Sequence, residues 1–358
     1  MTNQELRDAS RHDDAPWAPS DAAGDGAATP SRRTEDSPGR QWAKTAGVVA
    51  GLVIVVSLML LAFLLPAINS GAKDLPLAVS GPDAAVTALT DQLNTADPEA
   101  FEITTYDSTQ SVQTAVENRD AIGGISVQAD GVVITTASGA GAPYSNMLQG
   151  IGSGLEQAGQ TGTYQDVAPF PEDDPTGTAM TSLALPLVFG GMISAVVLST
   201  VLKGRPWHRL VGALVFAALA GTVVAAILQF GLNAMDAQYW AMAGAIAATI
   251  AAISLTIIGL ASLFGAAGLG VGAVVMMFVA NPLSGIAAGA DWLPAPWGAG
   301  GQLLPLGAGE TIIRSVAYFD GAGTGSAPWV VLCWATVGVM LIVAAAWRDR
   351  RRHSSVAS

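Results

Sequence analysis

The chain has 358 residues, 51% of them hydrophobic and only 12% charged, with a formal net charge of −12 and a mean hydropathy of +0.45. That balance excludes an ordinary soluble domain and a nucleic-acid-binding surface, and it places the protein in the membrane class. The one cysteine, Cys333, excludes an intrachain disulfide. It falls in an apolar run, where a buried thiol is expected.

Residues 1–41 are rich in Asp, Ala, Ser, Pro and Gly with few large apolar groups. Such a segment cannot bury enough surface to offset its ordering entropy, so it reads as a disordered cytoplasmic tail. Residues 42–68 (WAKTAGVVAGLVIVVSLMLLAFLLPAI) form the first apolar run. Ser70-Gly71-Ala72 has the small residues of a signal-peptide cleavage site. The apolar run, however, exceeds a signal core and follows a long charged region, so an uncleaved anchor is expected.

Residues 69–178 carry the soluble pattern, read as a small extracytoplasmic α/β domain. LPLAVS (75–80) alternates like a strand. A helix opens at Pro82-Asp83 with Val86, Leu89 and Leu93 on one face. FEITTYD (101–107) reads as a second strand, followed by a helix capped by Ser108 or Thr109 and carrying Val112, Ala115 and Val116. AIGGISVQA and VVITTAS flank Asp130-Gly131, a strong hairpin signal. A helix over 144–157 with Met147, Ile151 and Leu155 inward, and a strand near 163–169, complete the order β-α-β-α-β-β-α-β. Val86, Leu89, Val112, Ile125, Val127, Ile134 and Ile151 are the expected core, and about 100 residues suffice for one that folds alone. Glu172-Asp173-Asp174 invites a hard cation. The spacing matches no calcium loop, though, and an acidic linker needs no ion, so no metal site is assigned.

Residues 179–347 read as a five-helix membrane domain. Four runs of about 20 residues lie between Met180 and Ser284 and a fifth at Pro328–Trp347. At ~1.5 Å per residue each spans the ~30 Å hydrocarbon layer. With the first run this predicts six transmembrane helices. Lys and Arg gather before or at the start of the first run, at Lys203, Arg205 and Arg209, and in the basic tail 348–358, which places both termini in the cytoplasm by the positive-inside rule. Only Lys73, Arg119 and Arg314 lie elsewhere. Trp42, Trp240, Trp329 and Trp347 fall at run ends, as an aromatic belt requires.

Gly268-Leu269-Gly270-Val271-Gly272 lacks the Lys-Ser/Thr of a phosphate loop and reads as helix packing through Gly268 and Gly272. The apolar runs hold no charge that a proton- or ion-coupled carrier would use. Nor is there an HExxH motif or a Ser/His/Asp set, so no catalytic residue, cofactor or enzymatic activity is expected. Polar groups gather instead in 281–327, with 285–327 read as re-entrant or interfacial helices. Pro282 breaks the helix at Asn281, and Glu310 and Arg314 stand at i, i+4. Asn281, Pro282, Ser284, Asp291, Trp292, Glu310, Arg314 and Asp320 are the candidate pathway or gate residues, with the Asn281 amide expected on the backbone freed by Pro282. The alternative for the same stretch is a plug that seals the bundle.

Three features together resemble the ABC-2-type permeases, in particular the actinobacterial YhgE/Pip (phage infection protein) group. They are the order of one span, an outer α/β domain and five spans; the AVENRDAIGGISV segment; and the stretch from NPLSG to LLPLGAGETIIRSVAYFDGAG. The resemblance covers about residues 45–347. It implies an integral protein of the cell membrane that exports a hydrophobic or amphipathic substrate, powered by a separate ATPase subunit. The lipid bilayer is a further expected partner and a second copy of the chain a candidate one, and nucleic acid is not expected. The alternative class is a non-transporting envelope protein, a secretion accessory or receptor, acting through the outer domain.

Overall fold

The computed structural model describes residues 38–356. The expected tail over 1–41 therefore falls outside the described residues up to residue 37, and the last residues of the basic tail do likewise. From Pro38 the chain is already helical: α1 runs Pro38–Ile68, polar in its first two turns and apolar over most of the rest, with Pro66 inside it. The chain divides between Ile54 and Val55 into two units, and everything below belongs to the second.

A five-stranded sheet follows: β1 (Leu75–Ser80), β2 (Phe101–Tyr106), β3 (Gly123–Gln128), β4 (Gly131–Thr136) and β5 (Gly162–Asp166). Its spatial order is β2-β1-β3-β4-β5. β1 pairs in parallel with β2 and β3, and β4 pairs in parallel with β5. The β3–β4 pair is the antiparallel hairpin that Asp130-Gly131 announces. Three helices cover it, α2 (Asp83–Ala96), α3 (Thr109–Glu117) and α4 (Ala142–Gln157). The Ser108 side chain caps α3 by accepting from Ser111 N at 3.2 Å. The element order is the one the alternating pattern predicts.

The core differs in two places. α4 turns Tyr144, Leu148 and Leu155 inward, so Ile151 and Met147 are only partly buried, as is Val127 on β3. The other expected core residues, Val86, Leu89, Val112, Ile125 and Ile134, are buried. The second correction is larger. The α3 side of the sheet packs Ala78, Val112, Ala115 and Val116 against Phe319, with Tyr318 and Ala322 beside it, while Trp292 packs on the opposite cluster. The core is thus not self-contained. Side chains from beyond residue 290 complete both faces.

The membrane half begins with α5 (Thr178–Ser182), which Asp174 caps by accepting from Thr178 N and Ala179 N, each at 2.8 Å. Of the Glu172–Asp174 cluster, it is Asp174 that makes this cap. α6 (Ala184–Val201) and α7 (Pro206–Ala226) form a hairpin, and α7 ends in a π-helical turn, Ile227–Gly231. α8 (Tyr239–Phe264) is the central element, buried along most of its length. Its hydroxyls are satisfied internally: Thr249 and Thr256 donate to the carbonyls of Ala245 and Ala252 one turn back, at 2.9 and 2.8 Å.

Five helices are long and apolar enough to cross a membrane: those over Gly39–Ile68, Thr178–Val201, Pro206–Gly231, Tyr239–Phe264 and Ala327–Arg351. The fourth run between Met180 and Ser284 differs from its expected length. It is a short helix, Ala266–Ala280, comprising α9 (Ala266–Val274) and a π-helical end, Val275–Ala280. At ~1.5 Å per residue it reaches only ~22 Å. Gly265, with φ +64, turns the chain out of α8 at one end, and Pro282 stops it at the other. Gly268 and Gly272 are buried against α8: a Cβ at Gly268 would sit 2.1 Å from the Leu260 carbonyl oxygen, so only glycine permits this approach.

α10 (Trp297–Gln302) and α11 (Pro305–Tyr318) precede the last helix, α12 (Ala327–Val356). Cys333 is exposed on α12, not buried. On an otherwise apolar helix it takes the place of one more lipid-facing side chain. Trp240, Trp329 and Trp347 are exposed at the ends of α8 and α12.

The basic residues meet at one end of the bundle. Arg209 donates to Leu202 O (2.9 Å), Ser199 O (3.1 Å) and Ser262 Oγ (3.3 Å), and Arg348 to Leu263 O (2.9 Å) and Ser262 O (3.2 Å). Each guanidinium thus satisfies carbonyls left open at a helix C-terminus. The sheet and the α10–α11 segment lie at the opposite end.

Candidate functional site

The break after α9 opens the segment from which the site is built. Pro282 disfavours helix at Asn281 and supplies no N–H. The Ser284 hydroxyl repairs the backbone: it donates to Asn281 O at 2.8 Å and accepts from Ile286 N at 3.3 Å. Ser284, rather than the Asn281 amide, therefore takes the capping part. Asn281, Pro282 and Ser284 line a mostly apolar cavity of about 310 Å³ with Phe63 and Pro66 of α1.

α11 carries the charges. Its buried face runs over residues 305–310, 313–315 and 317, and packs against α8 and α12. A helix presenting Glu310 and Arg314 on such a face must pair them, because an isolated buried charge is prohibitively costly. Arg314 Nε hydrogen-bonds Glu310 Oε1, with both side chains almost inaccessible. The other Arg314 nitrogens reach further. Nη1 donates to Gly139 O at 2.8 Å and Nη2 to Ile286 O at 2.9 Å. One side chain therefore ties α11 to the turn before α4 and to the loop after α9. Around it, Thr311 Oγ1 donates to Gln302 Oε1 at 2.7 Å, and Gln302 Nε2 to Ser284 O at 3.1 Å.

Arg119, at the end of α3, approaches the same helix from the sheet side. Its Nη1 donates to Ser315 Oγ at 2.7 Å, and its guanidinium lies 5.2 Å from the centre of the Phe319 ring. Burial pulls its pKa below the usual arginine value, opposed by the Glu310 charge. A polar cavity of about 270 Å³ opens here, lined by Arg119, Tyr144, Asp291, Gln302, Glu310, Thr311 and Arg314, with the 323–327 turn as a rim. Gly323, at φ +68, lies so close that a Cβ there would come within 2.6 Å of the Arg119 stem. Although part of Asp291 reaches solvent, the protein around its carboxyl raises its pKa, and Arg119 opposes that rise. The Tyr144 hydroxyl, pushed up chiefly by burial, has no hydrogen-bond partner although the Trp292 backbone is near.

Of the eight candidate gate residues, Asp291, Glu310 and Arg314 thus meet in one cavity, and Asn281, Pro282 and Ser284 line another. Trp292 stands edge-on to Tyr144 with ring centres 5.6 Å apart and belongs to the sheet's core. Asp320 is exposed, at φ +50, and lines neither cavity. Arg119, Tyr144, Gln302 and Thr311 are cavity residues that the sequence pattern does not single out. The only available signal was that Arg119 is one of two basic residues in the whole acidic α/β segment. Among the described residues, no group of three or more His, Cys, Asp and Glu is placed to hold a metal ion.

Compared with known proteins, the chain matches no family model, no curated protein and no solved structure.

Proposed function

We propose that the protein is a multi-pass permease of the cell membrane, of the ABC-2 kind that its sequence resembles, exporting a hydrophobic or amphipathic substrate with energy from a separate ATPase subunit. In this reading α9 with its π-helical end is a short sixth crossing. The α/β segment lies on the extracytoplasmic side, and the Arg209 and Arg348 end faces the cytoplasm. The observation that carries the reading is the return of the chain after Asn281. Instead of leaving the bundle, α10 and α11 fold back into its non-basic end and place ionisable groups beside an open cavity, while the bundle itself is closed around an apolar α8. Irregular backbone at membrane depth persists only where protein or a water-filled cavity satisfies it, and a segment so held is suited to gate an exit.

A second reading, a non-transporting receptor or secretion accessory, is favoured by one different observation. The sheet shares its core with Phe319 and Trp292, so a ligand on the α/β segment would act directly on α11.

Affinity purification of the full chain from its own cells, in mild detergent, separates the two. The permease reading expects an ATPase subunit bearing a nucleotide-binding loop to co-purify at a ratio near one per chain. Recovery of only envelope or secretion proteins would overturn it in favour of the second reading.

A further inference from the structure

The cavity beside α11 holds four charged residues, and they are not equivalent. Glu310 and Arg314 neutralise each other, and both Nη groups of Arg314 already donate to Gly139 O and Ile286 O. Arg119 and Asp291 are different. Among the described residues neither forms a salt bridge, although each feels the other's charge across the cavity. Arg119 spends one nitrogen on Ser315 Oγ and the Thr311 carbonyl, which leaves the rest of its five donors available. Tyr144 contributes to the cavity wall, but its hydroxyl is itself shut away from the open space.

The two unpaired ionic groups have opposite sign. An ion of one sign alone would satisfy one of them and be repelled by the other. At ~30 Å³ per water, the cavity of about 270 Å³ has room for a molecule displacing several waters, the size of an amino acid or a small headgroup. We propose that this cavity binds a small zwitterion, its carboxylate or phosphate on the Arg119 guanidinium and its ammonium facing Asp291. Binding of this kind does not depend on whether the chain transports.

The test is calorimetric titration of the detergent-solubilised full chain with alanine, alanyl-alanine and O-phosphoethanolamine, alongside acetate, inorganic phosphate and ethylamine as single-charge probes. At least one zwitterion should bind at least ten-fold more tightly than every single-charge probe. Arg119→Gln and Asp291→Asn should each weaken it ten-fold or more. Asp291 lies on an exposed turn, so its variant keeps the test valid if Arg119→Gln fails to fold. Repeating the titration in nanodiscs with and without phosphatidylethanolamine separates the two sources of such chemistry. A lipid headgroup would exclude the soluble probe when that lipid is present, whereas a free solute would bind equally in both. Single-charge probes binding as tightly as zwitterions, no probe binding in either detergent or nanodiscs without that lipid, or wild-type affinity in Asp291→Asn would overturn the proposal.

Discussion

Arg314→Met should destabilise the folded protein by about 3–5 kcal/mol, because it leaves the Glu310 carboxylate buried without its counter-charge. The same substitution strips the donor from the carbonyls of Gly139 and Ile286, and a buried acceptor left unpaired adds to the cost. Glu310→Gln should be damaging for the reciprocal reason. Replacing both, as Glu310→Leu with Arg314→Met, should recover much of the loss, since apolar groups of similar volume can substitute for a buried pair without net penalty. Denaturant unfolding in a fixed detergent, followed by tryptophan fluorescence, measures all three. A single Arg314→Met variant as stable as the wild type would mean that the pair is not shut away from water.

Phe319→Ala should cost about 3–5 kcal/mol, the range for removing a large buried aromatic side chain. Phe319 is 6% exposed and is shared property: it lies at the C-terminal end of α11, yet it packs among Ala78, Val112 and Val116 on the sheet. Its loss should therefore loosen the sheet and α11 together. Hydrogen exchange should speed up in β1 and α3 as well as in α11. Faster exchange confined to α11 would contradict a common core. By the same logic a fragment of residues 73–175 lacks Phe319, Tyr318 and Trp292, so its bared core should bind hydrophobic dyes in detergent-free buffer.

These two residues also mark where sequence reasoning succeeds and where it stops. Glu310 and Arg314 were legible because the pairing is local: two opposite charges one helical turn apart in an apolar stretch have few other ways to be satisfied. The sheet was legible for a similar reason, since period-two alternation, helix caps and Asp130-Gly131 act within a few residues. Phe319 was not, because nothing near it in the chain states that its partners are more than 200 positions away. The cavity is the same case. Arg119, Tyr144, Asp291 and Arg314 come from four separate segments, and only the tertiary fold assembles them.

The inward face of α4 shows a finer limit. Met147, Ile151 and Leu155 are spaced as well for a helix face as Tyr144, Leu148 and Leu155. The choice between them is made by what α4 packs on, not by its own periodicity. Along α9 the apolar run was read correctly and its length was not. Composition continues to Gly285, but the turn at Gly265 and the break at Pro282 leave a helix of only Ala266–Ala280.

The proposed arrangement, with the sheet on the extracytoplasmic side and the Arg209–Arg348 end in the cytoplasm, is tested most directly by cysteine accessibility. Replacing Cys333, the chain's only cysteine, by alanine gives a blank background. Single cysteines can then be placed at Glu102 on β2 and at Lys203 between α6 and α7, both exposed positions. A membrane-impermeant maleimide applied to intact cells should label Glu102→Cys and leave Lys203→Cys untouched until the membrane is permeabilised. Labelling of Lys203→Cys in intact cells, with Glu102→Cys protected, would contradict the account.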